Sequence, residues 1–324
     1  MFRQRQIALT CIAILFILVS LGGAELHASA QAQQNSLTNL VFLARDKNKQ
    51  FVKTLRKEDI RILEDGVPQE IITFQQQDNL PFSLALLVDT SASQERILPE
   101  WKLAARDFVD SIMRPGQDAV AVISFTHEIQ VEEEMTLNIE QVRRTIDAIE
   151  FVPPVGYVGR GQVTSMPNSN SLAGSTALWD AIWSTSEQLH KVAPANTRRA
   201  IILLTDGVDS SSRKKIDDAI KSALGAEAVI YAIGIGDEIM GGVDGDVLRK
   251  LAEKTGGRAF LPKKKAELPA IFAEIEADIR SQYLVAYMST GTKPKGSARE
   301  IKIELVTPEL RKQNLKIFHT KKVG

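Results

Sequence analysis

From residue 81 onward the chain alternates two patterns of apolar and polar positions. The runs 82–88, 119–125, 200–204 and 229–235 are short, nearly unbroken apolar stretches. They have strand length and no polar face, as strands buried on both sides do. Between them, residues 95–113, 139–149, 176–190, 214–224, 246–254 and 266–279 carry apolar residues at helical spacing. Pro115-Gly116 closes the first of these stretches and Gly256-Gly257 the fifth. The run 129–133 reads as a hairpin partner of 119–125. Strands separated by helices in this way predict the α/β class, with a doubly wound, mostly parallel sheet covered on both faces. The functional loops of such a sheet lie at the carboxyl ends of its strands.

The flanks have a different texture. Residues 40–43, 60–63 and 70–74 are short β-like pieces punctuated by Asp65-Gly66, and the same pattern returns at 283–288, 298–306 and 315–318 around a turn region at 291–296. Neither flank is large enough for its own core, so the expectation is one β-rich module built from 36–80 and 281–324, with the α/β domain of 81–280 between them. Residues 153–174, rich in Gly, Ser and Asn, form the longest loop candidate. At the N-terminus, Arg3 and Arg5 precede an apolar run at 7–22 and the small residues Ala28-Ser29-Ala30. This predicts a signal peptide over 1–30, a mature chain beginning near Gln31, and a secreted, periplasmic or cell-envelope location. The alternative is a retained anchor, because the run approaches the shortest segment that spans a bilayer.

Composition removes several function classes. The 324 residues hold 40 basic and 40 acidic side chains, so no net positive field exists to hold nucleic acid. Cys11 is the single cysteine, which excludes disulfide scaffolds, thiol catalysis and zinc knuckles from the body of the chain. The four histidines lack metal-ligand spacing.

The chemistry gathers at three separated places. The run ending at Val88 leads into Asp89-Thr90-Ser91-Ala92-Ser93 directly before a helical stretch; Gly174-Ser175-Thr176 opens the third helix; and the run 201–204 ends in Thr205-Asp206-Gly207. In a parallel sheet all three loops lie at the carboxyl edge, and the strands carrying Asp89 and Asp206 can be neighbours. Two carboxylates and three hydroxyls then converge. Such an all-oxygen set suits magnesium or manganese, hard ions that take one or two carboxylates and keep several waters. With Ser91, Ser93 and Thr176 as neutral ligands, and Asp89 and Asp206 holding waters, the ion stays electrophilic toward an incoming carboxylate. A helix starting directly after Ser93 would add its positive dipole end.

With these motifs the chain from about 81 to 279 resembles the von Willebrand factor type A domain. The three segments are similar to its metal-ion-dependent adhesion site, an Asp-x-Ser-x-Ser, a Thr and a later Asp. The resemblance implies that Ser91, Ser93 and Thr176 face the ion while Asp89 and Asp206 complete its shell. It further implies an exported, non-enzymatic, adhesion-type module whose partner protein presents an Asp or Glu to the metal. The phrase from Glu64 to Gln69 is similar to one that precedes this domain in secreted bacterial members. The stretch before Gly174 departs from the pattern by its length.

Each motif also has a bland explanation. Asp89, Ser91, Ser93 and Thr176 are residue types that cap helices, and Asp206-Gly207 is an ordinary turn signal. Their order on successive strand ends favours the metal site. Asp209, Ser210, Ser211 and Ser212 read as a solvated helix start, and Trp179 with Trp183 as a packed helix face. Two other function classes stay open: an envelope module with an empty site, and a metal-dependent hydrolase. Against the hydrolase, no Asp-x-Asp follows the strand, no base accompanies the serines, and no Gly-x-Ser-x-Gly is present.

Overall fold

The structure, a computed structural model, describes residues 36–47, 51–76, 80–153, 175–194, 197–236, 242–291, 299–319 and 322–323. The expected signal peptide and most of the long 153–174 loop lie outside these residues. Among the described residues, no helix is long and apolar enough to cross a membrane.

The apolar runs form a six-stranded sheet: β4 (Phe82–Asp89), β5 (Ala119–Phe125), β6 (Ile129–Thr136), β7 (Arg198–Thr205), β8 (Ala228–Gly234) and β9 (Ala259–Phe260). Its order is β6-β5-β4-β7-β8-β9, parallel throughout except for the antiparallel edge strand β6. All eight residues of β4 are buried. Successive side chains of a strand point to opposite faces, so β4 divides its residues between two apolar layers. Leu84, Leu86 and Val88 pack with α1 (Leu98–Ile112), α2 (Ile139–Ala148) and α6 (Leu268–Arg280). Ala85 and Leu87 pack with α3 (Leu178–Val192), α4 (Ile216–Gly225) and α5 (Gly245–Thr255). The α/β class and the doubly wound, mostly parallel sheet are those the pattern predicts.

One helix begins later than its periodicity suggests. The chain after Ser91 makes a tight 3-10 turn at Ala92–Gln94, and α1 starts only at Leu98, with Pro99 in its first turn. Proline is at home there, since its missing N–H has no partner at a helix start and its φ is already helical. The helix dipole is therefore not aimed from directly after Ser93. Gln94 and Ile97, both buried, are turned inward in the intervening segment.

The flanks join across the length of the chain. The strands β1 (Ser36–Arg45), β2 (Ile60–Glu64), β3 (Val67–Gln76), β10 (Tyr283–Ser289), β11 (Arg299–Leu305), β12 (Lys316–His319) and β13 (Lys322–Val323) make a second sheet in the order β12-β1-β10-β3-β2-β11-β13. Its pairings are antiparallel, with β10 seated between β1 and β3. Its core centres on Phe42, stacked on Tyr283 with ring centroids 5.0 Å apart, and on Phe74. Ionic contacts fasten this sheet to the α/β layer. Arg45 of β1 pairs with the fully buried Asp278 of α6 and with Glu274, and Arg258 pairs with the same two carboxylates.

Candidate metal centre

The strand order reverses at β4: β5 and β6 lie on one side of it, β7 to β9 on the other. A crevice outside the carboxyl ends of the strands is expected at such a switch. Here β4 ends in Asp89 and β7 runs into Asp206, with Val88 and Leu204 in register. Parallel pairing brings every strand end to one level, so side chains more than a hundred residues apart in sequence become neighbours.

Hydrogen bonds join four of the five sequence-predicted residues into one cluster. Asp89 Oδ1 accepts from the Ser91 amide at 3.0 Å, and its Oδ2 accepts from the Thr205 hydroxyl at 2.6 Å. The Ser91 and Ser93 hydroxyls are 3.2 Å apart, and Ser93 donates to Asp206 Oδ2 at 2.5 Å. Asp206 Oδ1 accepts from the Val208 amide at 3.0 Å, which closes a tight turn on its own backbone. The turn needs Gly207, whose φ of +85° lies in the left-handed region. Behind it, the Asp206 carbonyl accepts from the amide of Asp244, the N-cap of α5.

Thr176, the fifth residue, is held at the same edge through its backbone. The Thr176 amide donates to Ser210 Oγ, the Thr176 carbonyl accepts from the amides of Ser210 and Ser211, and the next amide, Ala177, donates to the Thr126 carbonyl beyond β5. Thr176 is thus anchored between the end of β5 and the loop after Asp206, and it is buried to 7% exposure.

The loop after Asp206 does more than the solvated helix start read from the sequence. The N-cap of α3 is Ala177, which offers no side-chain acceptor. The missing acceptors come from across the crevice: Asp209 Oδ1 takes the Leu178 amide, and Ser212 Oγ takes the amides of Trp179 and Asp180. A helix start leaves its first amides without partners, and this loop satisfies them in trans. The Thr176 and Asp206 loops are thereby locked together. The helix face carries Trp179 partly buried against the core and Trp183 beneath the Lys214 ammonium, 4.5 Å from the ring centre.

Two further residues, Thr205 and Gln94, join the cluster and were not singled out in the sequence. Thr205 stood in the Thr-Asp-Gly phrase, and its strand position beside Asp89 was the available signal. Gln94 carried none, because its partners Asp206 and Ile235 lie more than a hundred residues away.

The electrostatics fit a hard divalent cation. Asp89 is 1% exposed and Asp206 5%, and among the described residues neither takes part in an ion pair. Burial, and then the charge of Asp206, push the Asp89 carboxyl up to about 7 against the opposing hydrogen bonds from Ser91 and Thr205. Two facing buried carboxylates with hydroxyl oxygens between them are an all-oxygen donor set lacking positive charge. Among the described residues no group of three or more His, Cys, Asp and Glu is placed to hold a metal. A cavity of about 430 Å³ lies on the opposite edge of the sheet, between the end of α5 and β12, and shares no lining residue with this cluster.

The model of the von Willebrand factor type A domain matches residues 83–274, more than half of the chain. Among solved structures, the conserved hypothetical protein BatB from Bacteroides thetaiotaomicron is 18% identical with a TM-score of 0.46, covering 62% of this chain and 100% of its own. Proximal thread matrix protein 1 from the mussel byssus, solved with a zinc-occupied MIDAS motif, is 15% identical with a TM-score of 0.47 over 62% of this chain, which spans about half (48%) of the mussel protein. A von Willebrand factor type A protein from Catenulispora acidiphila is 13% identical with a TM-score of 0.49, covering 92% of this chain and 76% of its own. No curated protein matches the chain. The strand and helix order, the switch-point crevice and the family match over 83–274 agree, and the chain belongs to the von Willebrand factor type A domain family.

Proposed function

We propose that this protein is an exported, non-enzymatic binding module that captures a partner protein through a divalent ion held at the crevice between β4 and β7. The observation that carries this reading is the buried, uncompensated carboxylate pair Asp89 and Asp206, linked through the Ser91 amide and the Ser91 and Ser93 hydroxyls, with the Thr205 hydroxyl on Asp89. Ser91, Ser93 and Thr176 would hold a magnesium or manganese ion as neutral ligands, and Asp89 and Asp206 would complete the adhesion site by orienting its waters. A bound ion of this kind supplies positive charge and a replaceable water position for a carboxylate oxygen. The chain's residues keep that ion electrophilic by contributing few charges, so an Asp or Glu of the partner is the matching ligand. Family membership supports the reading, since these domains are metal-dependent protein-interaction modules. The N-terminal Arg-containing, apolar and Ala-Ser-Ala segments support export.

The test is a calorimetric titration of the purified chain with magnesium, manganese and calcium, beside Asp206→Ala. Saturable binding by the wild type, lost in the variant, is expected. Capture of acidic partners that fails in chelator then follows. If neither protein binds a divalent ion, the reading is wrong and a structural module takes its place.

A further inference from the structure

Gln94 is 2% exposed, directly follows the Asp-x-Ser-x-Ser segment, and has a polar head facing the carboxylate pair. Its Nε2 lies 3.3 Å from Ser93 Oγ, 3.4 Å from Asp206 Oδ2 and 3.2 Å from the Ile235 carbonyl. The carbonyl and the carboxylate can only accept, so the amide group must present its NH2 to them. One N–H is spent on Ile235 and the other is shared between Ser93 and Asp206. The side chain therefore ties three elements together: the turn after β4, the loop after β7 and the end of β8.

We propose that Gln94 sets the metal selectivity of this centre: its neutral carboxamide holds Asp206 from the protein side and keeps the oxygen set at two carboxylates, favouring magnesium or manganese over calcium. It is a positioning residue that acts through Asp206. The physical basis is charge count. Magnesium sites use one or two carboxylates, whereas calcium takes more oxygens, and its affinity rises with the number of charged ligands. An oxygen in place of Nε2 would lie within 3.4 Å of both Ser93 Oγ and Asp206 Oδ2, inside the cluster. It would face two acceptor-only groups, Asp206 Oδ2 and the Ile235 carbonyl, with no proton to offer and only the Ser93 hydroxyl to donate to it, an arrangement that a cation or protonation relieves.

This inference rests on the metal-binding reading, and its test separates the two. The full chain, Gln94→Glu and Gln94→Met are titrated with magnesium, manganese and calcium, and the melting temperature of each is recorded in chelator and in excess ion. For Gln94→Glu the expectation is a lower melting temperature in chelator, a larger rise on adding calcium than the wild type shows, and a calcium-to-magnesium affinity ratio raised by about tenfold or more. Gln94→Met should lose several-fold in manganese affinity while still melting cooperatively. A purely structural role would lower the melting temperature of both variants and leave the affinity ratio where it was, and that result overturns the proposal alone. A wild type that binds no divalent ion overturns it together with the reading beneath it.

Discussion

The Asp89 carboxyl makes the metal-free protein's stability depend on pH in an unusual direction. The folded protein holds this proton up to about 7, while the unfolded chain releases it near 3.8. Between those values the folded state binds more protons than the unfolded one, so stability falls as pH rises through the window and levels off above it. At about 1.4 kcal/mol per pKa unit, the cost of charging Asp89 in the fold is on the order of 4 kcal/mol. Asp89→Asn removes that cost with little change of shape. The Asn carbonyl still accepts from the Ser91 amide, and its NH2 can donate to the Thr205 hydroxyl, which rotates to accept it. In chelator near pH 8 the variant should melt about 8 to 16 °C above the wild type, on the scale of roughly 2–4 °C per kcal/mol for a domain of this size. Near pH 5 the gap should narrow, and saturating magnesium should close it at pH 8 by stabilising the wild type alone. Calorimetric melts at the two pH values, with chelator and with magnesium, read all three effects. A wild type whose chelated melting temperature is level between the two pH values, or a variant that melts lower near pH 8, would refute the reasoning.

Two other outcomes follow from contacts that cross the fold. Ser212→Ala deletes the acceptor of two amides at the start of α3, and should cost about 1–2 kcal/mol, read as a lower urea midpoint with an unchanged slope; an unmoved midpoint would mean that water replaces the cap. Arg45→Met leaves the fully buried Asp278 with Arg258 as its remaining described ion-pair partner, and should destabilise the protein by about 3 kcal/mol or more. The double variant Arg45→Met with Asp278→Leu should recover much of that loss, and failure to recover would show that the bond is not the reason for the effect.

Much of the α/β layer was legible because its two periods are local. Strand β4 reads as an unbroken apolar run because both of its faces are covered, and α5 ends at Gly256, whose φ of +88° is the left-handed cap that its Gly-Gly phrase announces. The start of α1 was misplaced because residues 95–97 share the helical spacing, although Pro99 in its first turn marked the boundary. The separate motifs of the centre were legible as residue types on strand ends.

What the sequence by itself determined is therefore the set of elements and the kind of oxygen donor at each strand end. Propensity and periodicity act over a few residues, and those features are written within a few residues. Only the tertiary structure decided that Asp89 and Asp206 are adjacent, that Gln94 and Thr205 complete their surroundings, and that Asp209 and Ser212 cap a helix whose own N-cap is alanine. It also decided that β10 slots between β1 and β3, joining segments more than two hundred residues apart. Each of these pairings is chosen by parallel register, by sheet closure or by the need to satisfy a buried polar group. Those demands exist only once the chain has folded and excluded water from the groups concerned.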